Sequence, residues 1–181
     1  MKQVFKFTSF WCVAALYILI MIPDFFIKSH LISYVIDQRI SAADGARCIG
    51  LIAGMSIIGR VVMGWIAERL GWVKSFTVTC FIASASIIWL EFVTNTWGLY
   101  LFAVVYGFFW GSSLSLLSCV VSLFFGLATL SELLGFLLGL GVLIGAIAPF
   151  LGGWISDLTG SYLLPIAFAA IFLHLRGYYL Y

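Results

Sequence analysis

Charge is the scarcest commodity in this chain: nine Lys and Arg and seven Asp and Glu among 181 residues, 9 % in all. So few charges leave too little polar surface to cover a water-soluble globule. The net charge of +2 is small and scattered, which excludes a nucleic-acid-binding surface. Histidine is limited to His30 and His174, expected at opposite membrane faces. The four cysteines, Cys12, Cys48, Cys80 and Cys119, lie in apolar stretches without CxxC spacing. They read as small core residues, with no metal site, disulfide framework or cofactor indicated. The apolar runs contain no HExxH, no clustered carboxylates and no Ser with a His base, so no enzyme is expected.

What fills the chain instead is hydrophobic residues, 64 % of the total, with a mean hydropathy of +1.19. A spanning helix takes about 20 apolar residues. Six therefore use roughly 120 and leave roughly 60 for loops, whereas twelve need roughly 240. Barrel strands alternate apolar and polar residues in short segments, and this sequence does not. The expectation is an all-α integral membrane protein with six transmembrane helices in a single unit, residues 1–181. The helices are placed at approximately 7–35, 42–70, 72–92, 98–125, 130–157 and 162–176. Lys2 and Lys6 before Phe10–Ile22 imitate a signal peptide, but Pro23, Asp24 and Phe25 stand where a small-residue cleavage site belongs, so an uncleaved first span is expected. Pro23 invites a kink in it. Ser41 with Asp44, and Thr129 with Glu132, are S/T-x-x-D/E capping signals that open the second and fifth helices. Glu132 reads as a cap at the positive end of a helix dipole.

Lys2, Lys6, Arg69, Lys74 and Arg176 fall at ends that share one side of a six-span chain, while Arg39 and Arg47 on the other side are offset by Asp37 and Asp44. Positive residues are retained on the cytoplasmic side, so both termini are expected there, in a cell (plasma or inner) membrane. The turn at 122–131 carries no basic residue and does not contribute. Trp65, Trp72, Trp97 and Trp154 sit near helix ends, as interfacial anchors do.

An internal repeat is visible. Residues 64–71, GWIAERLG, and 153–160, GWISDLTG, share G-W-I-x-[D/E]-x-x-G at one offset, and Gly50 and Gly139 match in the same register. An odd number of helices separates the copies, so the second triplet is inverted in the membrane, a construction used by secondary transporters. The glycine pairs Gly50/Gly54, Gly107/Gly111, Gly135/Gly139 and Gly141/Gly145 allow close helix approach.

Residues 59–71, GRVVMGWIAERLG, resemble the cytoplasmic signature loop of the major facilitator superfamily, with Glu68 where Asp is more usual and Lys74 the one basic residue kept downstream. The stretches His30–Tyr34 with Asp37 and Ile40–Ser41, and Asp157–Tyr162, are similar to the carboxyl-terminal half of its monocarboxylate and oxalate/formate-antiporter-like branch. The resemblance implies helices seven to twelve of a carrier, hence half of a major facilitator fold. It also implies a second six-helix half, or a homodimer, as the opposite wall of the path. A charged gate at Gly64, Glu68, Arg69, Gly71 and Lys74 follows from the same resemblance.

Arg60 is the sharpest candidate for chemistry. It lies roughly 16 Å from the turn at Gly71, deep in a core about 30 Å thick, where an arginine faces a cavity or a partner rather than lipid. The branch implies that an Arg here binds a substrate carboxylate, which a guanidinium fork suits. The other reading is an arginine that snorkels or pairs with another helix. The branch's acidic residue one turn earlier is replaced by Ser56, and the fifth helix has no Lys or Arg, so a small monocarboxylate fits better than a dicarboxylate. Asp24 and Lys28 are spaced for an ion pair on one helix face. Lys28 and Tyr34 are placed with Arg60 as substrate ligands, and Asp24 and His30 as proton-coupling groups. A charge pair and vestibule histidine near the outer interface is the alternative. Tyr106 and Trp110, one turn apart, read as packing residues or a cavity lining. The expected function is transport of small organic anions across a lipid bilayer; the competing expectation is a truncated or non-transporting six-helix subunit.

Overall fold

The computed structural model describes residues 8–126, 130–147 and 150. Among these residues the regular structure is entirely helical: α1 (Thr8–Asp37), α2 (Ala42–Leu70), α3 (Trp72–Leu90), α4 (Thr96–Phe125) and α5 (Leu130–Gly145). The first four contain segments long and apolar enough to cross a membrane; α5 is apolar but shorter. The expected sixth helix, the outer end of the fifth, and the second copy of the repeat at 153–160 lie outside the described residues.

The helix ends follow local chemistry. α1 runs on through Pro23 and stops where Arg39 takes a left-handed φ of 60°, with Ile40 N–H donating to the Val35 carbonyl at 3.0 Å. The Ser41 hydroxyl accepts from the Asp44 N–H at 3.1 Å and opens α2, the capping that the S-x-x-D spacing announces. Gly71, at φ 94°, ends α2 and its N–H returns to the Ala67 carbonyl. Asn95 caps α4 by accepting from Gly98 N–H at 2.6 Å, so this helix begins before the expected Gly98.

α2 and α4 form the principal packed pair, α3 lies on α4, and α1 pairs chiefly with α5. The α2–α4 seam is built on missing side chains. A Cβ at Gly107 would stand 2.6 Å from the Ile52 carbonyl oxygen, and Cβ atoms at Gly59 and Gly111 would collide with the backbones of Phe108 and Ser56. Only glycine admits so close an approach. Gly141 and Gly145 likewise receive Met21, Tyr17 and Phe25 of α1. Gly50, Gly54, Gly135 and Gly139, expected to serve the same purpose, meet nothing within 4 Å. Their faces point out of the described bundle, because the packed face of α2 is the stripe of Cys48, Ile52, Ser56, Gly59, Met63 and Ala67, and that of α5 is Leu133, Leu137, Gly141 and Gly145. Several buried Ser and Thr hydroxyls bond back to their own helices, as with Thr79 to the Ser75 carbonyl at 2.7 Å and Ser84 to the Cys80 carbonyl at 2.8 Å.

Candidate functional site

Two helices bring an ion pair and an aromatic column together in the middle of the bundle. Asp24 is 13 residues from the end of α1 and Trp110 is 14 from the start of α4, so both sit about 20 Å from the ends of their helices on the Asp37 side. On α1 the i,i+4 spacing places the Lys28 ammonium 2.8 Å from Asp24 Oδ2. Asp24 is buried, whereas the Lys28 side chain is 47 % exposed. Opposite, Phe102, Tyr106 and Trp110 follow one another at four-residue spacing on α4 with nearly parallel rings, centroids 5.2 and 6.3 Å apart. The Lys28 ammonium lies 4.5 Å from the Trp110 ring centroid, a cation–π contact that joins α1 to α4.

Hydrogen bonding in this cluster is incomplete. Asp24 Oδ1 and Trp110 Nε1 are both buried without a hydrogen-bond partner. Buried polar atoms are nearly always paired, so one orphan acceptor and one orphan donor on the two residues flanking a lysine mark a place with chemical capacity to spare. His30 lies against Phe26 with the rings tilted by 34° and 4.8 Å between centroids, and is half-buried on the same helix.

The other expected site residues fall elsewhere. Arg60 is exposed on α2, one residue round from the seam glycine Gly59, and makes no ion pair among the described residues. Tyr34 is buried, and its hydroxyl donates to the Leu90 carbonyl at 2.9 Å. That bond ties α1 to α3. In the expected gate, Glu68, Arg69 and Lys74 are exposed with no ion pair between them; Arg69 instead lies over the Trp65 ring at 4.0 Å. Gly64 is open and Gly71 supplies the turn.

Spacing alone missed a second polar group. At the Asp37 side, Asp44 accepts from the Tyr100 hydroxyl at 2.7 Å, from Arg47 at 2.9 Å and from the Ser41 hydroxyl at 2.7 Å. Ser41, Asp44 and Arg47 are local, but Tyr100 comes from α4 and no sequence spacing announces it. Glu91, just beyond α3, has a buried Oε1 without a partner, and burial pushes its carboxyl above the ordinary glutamate value.

Four helices long and apolar enough to cross a membrane are the pattern of a multi-pass membrane protein. Comparison with known proteins gives the closer relationship. The chain is 25 % identical over 138 residues to monocarboxylate transporter 12-B of Danio rerio, covering 74 % of this chain and 29 % of that protein. It is 26 % identical over 151 residues to monocarboxylate transporter 12 of Mus musculus, covering 79 % of this chain and 31 % of that protein. A shorter stretch of 76 residues is 38 % identical to the MFS-type transporter hasB of Aspergillus fumigatus, covering 38 % of this chain and 16 % of that protein. No family profile matches the chain. It is thus related to the monocarboxylate-type transporters of the major facilitator superfamily, and the match to the first two spans less than a third of their length.

Proposed function

We propose that this chain is one bundle of a transporter for small organic anions such as monocarboxylates. It works by alternating access against a second six-helix bundle, with proton coupling at Asp24. The observation that carries the reading is the buried Asp24 carboxylate at mid-depth, one oxygen held by Lys28 and the other without a partner. Ionisable groups at such depth are costly in a bilayer and mark ion and substrate paths. A proton on Asp24 neutralises the carboxylate and releases the Lys28 ammonium, half-exposed, to hold a substrate carboxylate. Proton and anion then move as a neutral pair, which lowers the cost of crossing an apolar interior.

Arg60 supports the same reading from another helix. It lies about 15 Å from the end of α2 at Leu70 and is exposed there. An arginine facing lipid at that depth costs at least about 2.5 kcal/mol, so this face of α2 borders an aqueous path or the second bundle. The names of the relatives supply the substrate class.

The test is uptake of labelled propionate into vesicles from cells that carry the chain, against vesicles from cells in which it is deleted. An inward proton gradient should accelerate chain-dependent uptake, Asp24→Asn should remove that acceleration, and Arg60→Lys should abolish uptake while leaving the amount of inserted protein unchanged. Absence of any chain-dependent flux overturns the reading in favour of a non-transporting subunit.

A further inference from the structure

We infer that Trp110 is itself a substrate ligand, its indole N–H donating to the same carboxylate that Lys28 holds; this rests on the anion-site reading above. Indole nitrogen is a donor only, and Trp110 Nε1 is buried with no acceptor while the residue as a whole is 8 % exposed. Asp24 Oδ1, the unpaired acceptor on the other side of Lys28, makes no bond to the indole N–H, so the donor is left for an acceptor that arrives from outside the fold. The same ring already holds the Lys28 ammonium over its face. Lys28 has three N–H groups and spends one on Asp24. A carboxylate beside it has two oxygens to satisfy: one takes an ammonium N–H, the other the indole N–H. Face and edge of one side chain thus serve the cation and the anion in turn.

The ring is suited to this because it is fixed. Gly111, next to it in sequence, sets its backbone against Ser56 of α2, and Gly107 three residues before does so against Ile52. Stacking on Tyr106, itself stacked on Phe102, holds the indole plane. A donor locked in place before the ligand arrives loses little freedom on binding, which favours affinity. On α5, the only charged residue among those described is Glu132 in the first turn, and that helix presents glycines to α1. No competing carboxylate from α5 therefore supplies the missing acceptor.

The test is a titration of the ¹⁵N-labelled full chain in nanodiscs drawn directly from the membranes used for uptake, so that any second bundle stays with it, following the indole N–H signals of its seven tryptophans. The Trp110 signal is assigned by its disappearance in Trp110→Phe. Propionate is the probe and propionamide, of similar shape but neutral, is the control. The expected result is a downfield shift of the Trp110 signal with propionate, absent with propionamide and lost in Lys28→Gln. In uptake, Trp110→Phe keeps an aromatic face but not the N–H, and should raise KM by about tenfold or more with little change in kcat; Trp110→Leu, which loses both, should do worse. A Trp110 signal that stays still while vesicles still take up propionate overturns this inference and leaves the transport reading standing. A still signal with no uptake overturns both. Should Trp110→Phe not fold, the response of the native chain to the two probes decides, with the signal assigned by a tyrosine replacement.

Discussion

Tyr100 of α4 donates its hydroxyl to the Asp44 carboxylate at the head of α2, at 2.7 Å across 56 residues of sequence. With the Tyr34–Leu90 bond, it makes the Asp37 side the end at which the described helices are tied by side-chain hydrogen bonds. Tyr100→Phe should lower the apparent Tm of the purified protein in mild detergent by a few degrees. It should leave the Trp110 signal in place, because it breaks a tie remote from the mid-depth cluster. An unchanged Tm would show the bond to be idle, as many exposed polar contacts are.

The glycine seam and the open glycines give opposed predictions. Gly107→Ala or Gly111→Ala places a methyl against the α2 backbone and must push the two helices apart, costing about 1–3 kcal/mol. Gly50→Ala and Gly54→Ala meet empty space and should be neutral, or slightly stabilising through helix propensity. Thermal unfolding of the four variants side by side measures the difference. Equal effects in the two sets would contradict the seam.

For the central pair, the single changes should be worse than the double. Lys28→Gln strands a buried carboxylate, and Asp24→Asn leaves an ammonium held only by the Trp110 face. Removing one partner of a buried pair is strongly destabilising, although here the half-exposure of Lys28 reduces the loss to about 1–2 kcal/mol. The double variant Asp24→Asn/Lys28→Gln should recover most of that stability and yet transport nothing. Recovery of both stability and uptake would remove the pair from the site.

Glu91 predicts a pH dependence of stability outside the membrane-spanning segments. Burial raises its carboxyl in the folded state, so the folded chain binds the proton more tightly than the unfolded one. The resulting stabilisation is complete below the ordinary glutamate value of about 4.3 and is lost as pH rises through the higher folded value. Glu91→Gln should therefore flatten the profile of Tm against pH in that window. An unaltered profile would assign the dependence to another group.

Long apolar runs, capping pairs and punctuating glycines made much of the helical course legible, because helix ends are decided by residues within a few positions. Ser41, Gly71 and Gly126 are examples. The Asp24–Lys28 pair was equally legible, being a matter of one helical turn. Depth and direction were not. Spacing on α1 says nothing of which helix lies opposite the pair, and for Trp110, read as packing or cavity lining, only the packed helices bring its ring against Lys28. Tyr34 shows the reverse case: its stretch resembles a transporter segment, yet its hydroxyl turns toward Leu90. Gly50 and Gly107 belong to identical small-residue patterns, and only their neighbours tell a seam from an open face.

The seam of Gly59, Gly107 and Gly111 has one further mechanical meaning. Backbones meshed without intervening side chains cannot slide past one another or change their spacing, since there are no rotamers to absorb the displacement. α2 and α4 are in effect a single stave. A tilt of either carries both, so the exposed arginine on one and the tryptophan on the other keep their separation, while α1 meets this stave through side chains, Lys28 on Trp110 among them, whose rotamers can adjust.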